Sequence, residues 1–425
     1  MPTFLKVVCL LSFITSLSCA RVGYFWQVAD IHSQWFYRVN SDPSNGGCYL
    51  GEGSAGLFGD FQCDTPDLLV ESLLNFMKSI NPNPDFLLYT GDIMPHKLVL
   101  KFIDNDENTV TEANRNLTQL LRSSFPSTQI IPTFGNHDVF PAHQWSKGGS
   151  FVYHNTLSFW RDFIPPSQTE NFLKGGYFRI DMNQKYSFLV LNSNYWVMYD
   201  KSSEGVPDPA DQFKWLENEL AKLRTEGKKV LISSHVPPGS KGNRPLERDM
   251  MNSHHSKLLN ILEEYLDILT VYLASHEHSD SFRLFTVDGS TLPVLVAPAV
   301  LPEATPIYFG NNPAIRLYEY DTETGQLLDY YQYYLDLEIS NARRFPLWQL
   351  EYRARSFYSI DDLSGASMRK AVQNLKADEA LFEQYYRNIN VQVKTPSIDG
   401  CVRRVFLCGI EYIDFKEFSN CVYGF

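Results

Sequence analysis

Five apolar segments of this chain each end in histidine, aspartate or asparagine, and this repetition constrains the fold more than any other feature. In the third segment, residues 129–134 are followed by Gly135, Asn136, His137 and Asp138. The apolar run is typical of a buried strand, and the glycine permits a tight turn after it. Because open α/β sheets bind ligands at the carboxyl ends of their strands, we interpret this cluster as part of a catalytic pocket.

The other four apolar segments end in polar residues of the same kind. In chain order these residues are Asp30 and His32, then Asp92, then His235, and finally His276 with His278. Each group alone has an ordinary explanation as a turn or a surface residue, but five such groups in succession do not. Helical spacing of apolar residues near 65–80 and 111–124 separates the first strands, so the pattern predicts parallel pairing and an α/β fold.

A pair of divalent metal ions is the chemistry that these side chains suggest. Imidazole and carboxylate groups bind zinc, manganese and iron, and one aspartate can bridge two ions because it has two oxygens. Two ions about 3.5–4 Å apart polarise a phosphoryl oxygen and lower the pKa of a bridging water toward neutrality. Phosphoryl transfer needs such help, because the electrophile is negatively charged and repels hydroxide. On an extended segment His276 and His278 project to the same side, so each can reach one ion.

The first twenty residues have the features of a secretory signal peptide. Lys6 precedes an apolar segment over residues 7–17, which is followed by a small-residue cleavage site ending at Ala20. The alternative is a transmembrane anchor, but the apolar segment is too short to span a bilayer comfortably. We therefore expect residues 1–20 to be removed from a secreted protein that has no transmembrane segment.

Secretion makes the remaining cysteines candidates for disulfide bonds. Cys48 and Cys63 are close in sequence, within a glycine-rich loop, and are expected to pair. Among the last three cysteines two can pair and one is left over, either free or bonded to another chain. These three are Cys401, Cys408 and Cys421. Asn116 begins an Asn-Leu-Thr sequon, which predicts N-glycosylation on a surface helix.

Composition and charge exclude two classes of protein. With 44% hydrophobic residues the chain is globular rather than disordered, and its 425 residues suffice for one large domain with an appendage or for two domains. The net charge of −12 leaves no electrostatic footprint for nucleic acid. The expected partner is a small-molecule substrate, and the protein is expected to be a monomer.

At the five strand ends the sequence resembles the calcineurin-like metallophosphoesterase superfamily. The blocks of that family are Asp-x-His, Gly-Asp, Gly-Asn-His-Asp or Glu, a lone His, and Gly-His-x-His, and all five occur in order within residues 21–280. One departure is Ser275, which replaces the glycine before His276. The resemblance implies a four-layer α/β/β/α metallophosphoesterase sandwich over residues 21–338. A small helical, disulfide-containing C-terminal subdomain would follow over residues 339–425.

The resemblance also implies a role for each polar residue. Six residues would bind the two ions in two sets of three, namely Asp30, His32 and His278 for one ion and Asn136, His235 and His276 for the other. Asp92 would bridge the two ions. His137 would contact the scissile phosphate and protonate the leaving oxygen. Asp138 would orient His137, as carboxylates do for histidines near metal ions.

The segment Gly-Asp-Ile-Met-Pro-His resembles acid sphingomyelinase and the acid-sphingomyelinase-like phosphodiesterases, in which a histidine after the bridging aspartate reaches the substrate phosphate. His96 would take this role beside His137. The cysteine tail also resembles that group, which implies a disulfide between Cys408 and Cys421 and leaves Cys401 unpaired.

Acid sphingomyelinase carries an N-terminal saposin domain, and no residues are available for one between the expected signal peptide and the first strand. The resemblance therefore favours a secreted or lysosomal phosphodiesterase with two divalent ions, zinc being expected. It would hydrolyse nucleotide-type phosphate esters or anhydrides by attack of metal-bound hydroxide. One alternative is a sphingomyelin or phospholipid phosphodiesterase, and another is a non-catalytic secreted binding protein. The sequence leaves the preferred nucleotide, the pH optimum and the choice among zinc, manganese and iron open.

Overall fold

The structure is a computed structural model that describes residues 21–45, 47–96, 106–145, 151–302, 310–394 and 398–424. The expected signal peptide, residues 1–20, lies outside the described residues. Over the described ranges, no helix is both long enough and apolar enough to cross a membrane.

Twelve strands and twelve α-helices are present in these ranges. The strands are β1 (Val22–Val28), β2 (Phe86–Tyr89), β3 (Gln129–Pro132), β4 (Phe178–Asp181), β5 (Tyr186–Val190), β6 (Lys229–Ser233), β7 (Leu269–Ala274), β8 (Ser281–Val287), β9 (Ser290–Val296), β10 (Ala314–Asp321), β11 (Leu327–Leu335) and β12 (Trp348–Arg353). The helices are α1 (Asp67–Ile80), α2 (Glu107–Ser124), α3 (Phe151–Trp160), α4 (Thr169–Gly175), α5 (Gln212–Thr225), α6 (Asn252–Glu264), α7 (Leu337–Arg343), α8 (Ala354–Tyr358), α9 (Gly365–Ala377), α10 (Glu379–Ile389), α11 (Gly400–Glu411) and α12 (Phe415–Tyr423).

The strands form two six-stranded sheets, in the orders β12-β11-β10-β1-β2-β3 and β4-β5-β6-β7-β9-β8. In the first sheet β1, β2 and β3 run parallel to one another. In the second sheet β5, β6, β7 and β9 do the same. Strands of this kind are covered on both faces, which explains why β2 consists entirely of buried Phe, Leu and Tyr residues.

The two sheets pack face to face. Phe86 of β2 and Phe188 of β5 have ring centroids 5.5 Å apart across the interface. Gln27 of β1 also crosses it, because its side-chain amide donates a hydrogen bond of 3.0 Å to the carbonyl of Ala274 on β7. The carboxyl ends of the parallel strands in both sheets therefore open onto the same edge of the sandwich.

Helices cover the outer face of each sheet. On the first sheet Phe76 of α1 stacks on Trp348 of β12, with ring centroids 5.4 Å apart. On the second sheet α5 lies on β6 and buries Leu216 and Leu220. The layers are thus helix, sheet, sheet and helix, which confirms the α/β/β/α sandwich. Helix α2 leaves the predicted glycosylation site Asn116 exposed to solvent.

The region after residue 338 is mostly helical but also contributes a strand. Only helices are expected there from the sequence, whereas β12 pairs antiparallel with β11, from Trp348 opposite Leu335 to Arg353 opposite Tyr331. It covers the edge that β11 would otherwise leave open. The domain boundary at residue 338 stays a prediction.

The described part of the chain contains two disulfide bonds. Cys48 and Cys63 close the loop before α1, with Cα atoms 5.9 Å apart. Cys408 and Cys421 join α11 to α12, with Cα atoms 5.8 Å apart. Cys401 is free and exposed at the start of α11.

The C-terminal helices dock on the second sheet partly through a buried histidine. The ring of His255 on α6 stacks on Phe415 of α12 at 3.9 Å, with an angle of 13° between the planes. Arg248 lies 4.5 Å from the centroid of the same phenyl ring. Burial lowers the pKa of His255 to about 4, although the nearby Asp414 opposes the shift. The native packing therefore requires a neutral imidazole.

Acid should loosen this contact. The folded pKa of His255 lies below the ordinary value of 6.5, so its contribution to stability is complete above pH 6.5 and is lost as the pH falls toward 4. The loss is at most about 3 kcal/mol. In His255→Phe, which keeps the stacking, we expect a smaller fall in the unfolding free energy between pH 6.5 and 4, measured by denaturant titration. The exposed His154→Phe serves as control. If the unfolding free energy of His255→Phe fell with pH as steeply as that of the wild type, His255 would not be the group responsible.

Candidate active site

Two glycines let the loops after β2 and β3 approach each other closely. Gly91 has a φ of 96°, and a Cβ atom there would lie 2.3 Å from the nitrogen of Gly135. A Cβ atom on Gly135 would lie 2.0 Å from Oδ1 of Asp92. The Gly-Asp and Gly-Asn-His-Asp blocks are therefore in direct contact. A larger residue at Gly91 would collide with the backbone of Gly135, and one at Gly135 would collide with Asp92.

Asp138 ties these two loops together. Its buried carboxylate accepts backbone N–H bonds from Gly135, Asp92 and Ile93 at 2.8 or 2.9 Å. Burial and the neighbouring charge of Asp92 raise the pKa of Asp138 to about 6, and the three amides oppose this rise. The expected contact with His137 is not among the hydrogen bonds of the described residues, because both oxygens of Asp138 face backbone amides. Asp138 therefore joins the two loops, and its expected role of orienting His137 stays a prediction.

His137 lies at the surface of the cluster. Its backbone N–H donates to Oδ1 of Asp92 at 2.8 Å, and its ring centroid is 4.7 Å from that of His96 and 5.2 Å from that of His32. Burial lowers the pKa of His137 to about 3, against the opposing charge of Asp92. Near neutral pH this imidazole is neutral, with one N–H donor and one acceptor.

Two other imidazoles are oriented by backbone carbonyls. Nδ1 of His32 is 2.6 Å from the carbonyl oxygen of Met94, and Nδ1 of His235 is 2.7 Å from that of Thr90. An Nδ1–H that donates to a carbonyl leaves the lone pair on Nε2 free for a metal ion. Both Nε2 atoms point at Asp92, at 3.5 Å and 3.3 Å from its Oδ2.

The site has the arrangement that a pair of divalent cations requires. Two groups of side chains hold their ligand atoms within 4.8 Å of one another, namely Asp30, His32 and Asp92, and Asp92, His235 and His276. Asp92 belongs to both groups, as a bridging ligand must. Within the described chain, Oδ1 of Asp30 and Nε2 of His32 are buried without a hydrogen-bond partner. Buried polar atoms are rarely left unpaired, so this pair fits a bound cation.

The remaining expected ligands lie beside these groups. Oδ1 of Asn136 is 2.8 Å from Nε2 of His235. His278 faces Asp30, with 3.7 Å between Nε2 and Oδ1, and its ring also belongs to a group with His32 and His96. The structure therefore brings together all seven residues expected to bind metal, from five different strand ends.

The charges of the cluster are strongly coupled through Asp92. Burial alone would raise the pKa of this carboxyl group, but His235 and His137 outweigh it and hold the pKa well below the usual range. Burial would lower the pKa of His235, but the same carboxylate raises it to about 9. A proton and a cation compete for Nε2 of His235, so cation binding would release that proton.

Five of the expected ligands have a backbone that L-residues seldom adopt. Their φ angles are 49° at Asp30, 44° at His32, 64° at Asp92, 74° at His276 and 60° at His278. Left-handed backbone at residues other than glycine costs of order 1 kcal/mol each and persists where the surroundings impose it. Such clustering is typical of functional sites, because the strain is retained where a particular side-chain direction is needed.

Two families match the chain in sequence. The first, calcineurin-like phosphoesterase, matches residues 23–280, which is more than half of the chain. The chain belongs to this family. The second, acid sphingomyelin phosphodiesterase C-terminal region, matches residues 291–424 of the phosphoesterase.

Two relatives illustrate the similarity of the phosphoesterase to known proteins. Acid sphingomyelinase-like phosphodiesterase 3b of Mus musculus is 30% identical over 421 residues, which cover 95% of this chain and 91% of the relative. Cyclic GMP-AMP phosphodiesterase SMPDL3A of Bos taurus is 32% identical over 412 residues, which cover 94% and 90%. A solved dimetal phosphatase from Danio rerio matches 73% of this chain and 95% of its own at 14% identity, with a TM-score of 0.41.

The structure of the phosphoesterase adds a partner for His96 that sequence reasoning missed. Nδ1 of His96 is 2.9 Å from Oδ1 of Asp64, which is buried and follows Cys63 of the first disulfide. The ring of His96 stacks on His32, with centroids 3.8 Å apart. In the sequence, Asp64 is marked only by its position directly after Cys63, which is expected to form a disulfide with Cys48.

A second missed residue is Asp249, in the loop between β6 and α6. Its Oδ2 is 3.2 Å from Nε2 of His276, and the side chain is only 3% exposed. No pattern in the sequence marks this aspartate, because it lies in an irregular loop and does not follow an apolar strand.

Adding one methyl group at the glycine contact should dismantle the site. Gly135→Ala places a Cβ atom 2.0 Å from Oδ1 of Asp92, so we expect loss of divalent-metal binding, measured by elemental analysis after dialysis against trace Zn²⁺. Gly400→Ala is the matched control, since a Cβ atom there meets no neighbouring atom within 4 Å. Equal metal content in both variants would show that the close approach does not matter.

Proposed function

We propose that this protein is a two-metal, zinc-dependent phosphodiesterase that hydrolyses nucleotide-type phosphate esters or anhydrides. The observation that carries the proposal is the shared carboxylate of Asp92, which lies between two groups of ligand atoms with His137 directly beside it. A purely structural metal pair needs no adjacent imidazoles, whereas phosphoryl transfer needs groups that contact the phosphate and its leaving oxygen.

The ligand sets follow the grouping of the side chains. We assign Asp30, His32 and His278 to one ion, Asn136, His235 and His276 to the other, and Asp92 to both. Nitrogen and carboxylate donors of this kind suit zinc, although manganese and iron accept the same set. Bound ions of this type supply Lewis acidity toward the phosphoryl group and lower the pKa of a coordinated water.

The two imidazoles outside the ligand sets contact the substrate. His137 is neutral in the protein alone, and the negative charge of a bound phosphate favours its protonated form, which donates a proton to the leaving oxygen. Asp64 accepts from Nδ1 of His96 and so favours a proton on Nε2 of that ring. This proton is available for a hydrogen bond to a phosphoryl oxygen, in the way a carboxylate orients the catalytic histidine of hydrolases.

Similarity to the cyclic GMP-AMP phosphodiesterase supports a nucleotide as substrate. The match of residues 291–424 to the acid sphingomyelin phosphodiesterase C-terminal region supports the alternative, a phosphodiesterase that acts on sphingomyelin or another phospholipid. A non-catalytic binding protein is disfavoured by the presence of His137 and His96.

We also propose a secreted or lysosomal location and a monomeric state. The signal-like residues 1–20, the two disulfides and the exposed sequon at Asn116 support passage through an oxidising compartment. The proposed division is a metallophosphoesterase domain over residues 21–338 and a C-terminal subdomain over residues 339–425.

A product assay tests the substrate class. Cyclic GMP-AMP, a nucleoside triphosphate and sphingomyelin in detergent micelles are each incubated with the purified protein, with and without a chelator. We expect cleavage of the nucleotides that the chelator abolishes, and no cleavage of sphingomyelin. Sphingomyelin cleavage would favour the lipid alternative, and absence of any cleavage with two ions bound would favour the binding protein.

Paired variants separate metal binding from chemistry. In His137→Gln we expect both ions to remain and turnover to fall roughly 10²–10⁴-fold, because only a proton donor is lost. In Asp92→Asn we expect loss of both ions and of turnover, because the shared anion is removed. Metal content and kcat are measured on the same samples, with the exposed His154→Gln as control. Full activity in Asp92→Asn would refute the shared-ligand arrangement.

A further inference from the structure

The loop between β6 and α6 lies against the turn that carries His276. Residues 240 and 248 of this loop form an antiparallel bridge, and the backbone N–H of Lys241 donates to the carbonyl of Glu247 at 2.9 Å. The N–H of Gly242 donates to Oε2 of Glu277, the residue after His276, at 2.7 Å. The loop is therefore a hairpin-like arm fastened to the His276 turn, and its end brings Asp249 to the imidazole.

Asp249 has an imidazole or ammonium neighbour at each of its oxygens, although the contact at Oδ1 is an ion pair without hydrogen-bond geometry. Oδ2 is 3.2 Å from Nε2 of His276, and Oδ1 is 2.8 Å from Nζ of Lys241. Burial of an unpaired carboxylate is costly, and here the side chain is 3% exposed, so the two contacts explain how the charge is accommodated. The ammonium group of Lys241 offsets the negative charge of Asp249.

These contacts determine which nitrogen of His276 faces the metal site. Nδ1 is 3.2 Å from Nε2 of His235 and so points into the cluster, while Nε2 points at Asp249. An imidazole that donates Nε2–H to a carboxylate has its lone pair on Nδ1. The orientation is the reverse of that of His32 and His235, whose Nδ1 atoms contact backbone carbonyls.

We propose that Asp249, held by Lys241, is a positioning residue that fixes the ring orientation and tautomer of His276 for metal binding. The inference rests on the proposed two-metal function. It adds to that function a chain of contacts from Lys241 through Asp249 to His276, which we call the relay and which positions the ring without transferring a proton. A carboxylate partner of this kind typically changes metal affinity 10–100-fold when it is removed. The ion assigned to His276 therefore depends on the arm between β6 and α6 as well as on the strand ends.

Zn²⁺ titration against a chromophoric chelator tests the relay without reference to turnover. Asp249→Asn keeps the shape of the side chain but removes its charge, and we expect one of the two Zn²⁺ dissociation constants to rise 10–100-fold while the other is unchanged. Lys241→Met removes the partner from the carboxylate and should weaken the same ion to a smaller extent. Glu247→Gln is the matched control, because Glu247 lies in the same arm, 3.9 Å from Lys241.

Thermal unfolding of the metal-free variants separates positioning from folding. Dissociation constants equal to those of Glu247→Gln would overturn the relay. Equal weakening of both ions together with a lower metal-free Tm would overturn it too, since it would assign Asp249 a general structural role. If Asp249→Asn does not fold, Lys241→Met decides by the same criteria. If the wild-type protein takes up no Zn²⁺, the proposed function itself is wrong. If it binds two ions and Asp249→Asn does not change their affinities, only the relay is wrong.

Discussion

The arrangement of the candidate site depends on one buried carboxylate, that of Asp138, which joins the loops after β2 and β3. Asp138 accepts hydrogen bonds from three backbone amides that belong to the ends of two neighbouring strands. Amides buried at that depth need partners, and no regular ladder supplies them once the strands have ended. The position of Asp92 follows, because its own N–H is one of the three and its side chain accepts from the next loop residue, His137. The geometry of the candidate metal site is thus set by backbone hydrogen bonding before any cation is considered.

Much of the fold and of the site was accessible from the sequence, because the signals involved are local. An apolar strand is followed within a few residues by a polar side chain at each of the five strand ends, and glycine precedes that side chain at two of them, Gly91 and Gly135. The intervening helices indicate parallel pairing. Asp64 and Asp249 were inaccessible for the opposite reason. Each reaches its histidine from an irregular loop that is distant in sequence, and neither apolar periodicity nor spacing records such a contact. The contacts of Asp138 could not be predicted either, because its carboxylate accepts from backbone amides and not from its sequence neighbour, His137.

Both sheets contribute residues to each half of the site. In the proposed ligand sets, each ion is held by residues from both sheets, since His278 joins Asp30 and His32, while Asn136 joins His235 and His276. Ions bound in this way would link the open edges of the sandwich, where the strands have stopped contributing ladder hydrogen bonds. With these ligand sets, metal binding would stabilise the sandwich, because the ions would bind the native state and not the unfolded chain.

The left-handed backbone at the proposed ligands also restricts how the site can change over evolutionary time. Glycine, asparagine and aspartate tolerate a positive φ, whereas β-branched residues do not. A lineage that no longer needs the ions is not free to replace His32 or His278 with any residue that fills the space. Its permitted substitutions are narrow, and a relative that has lost the chemistry is expected to carry glycine or asparagine at these positions while the strands that precede them remain unchanged.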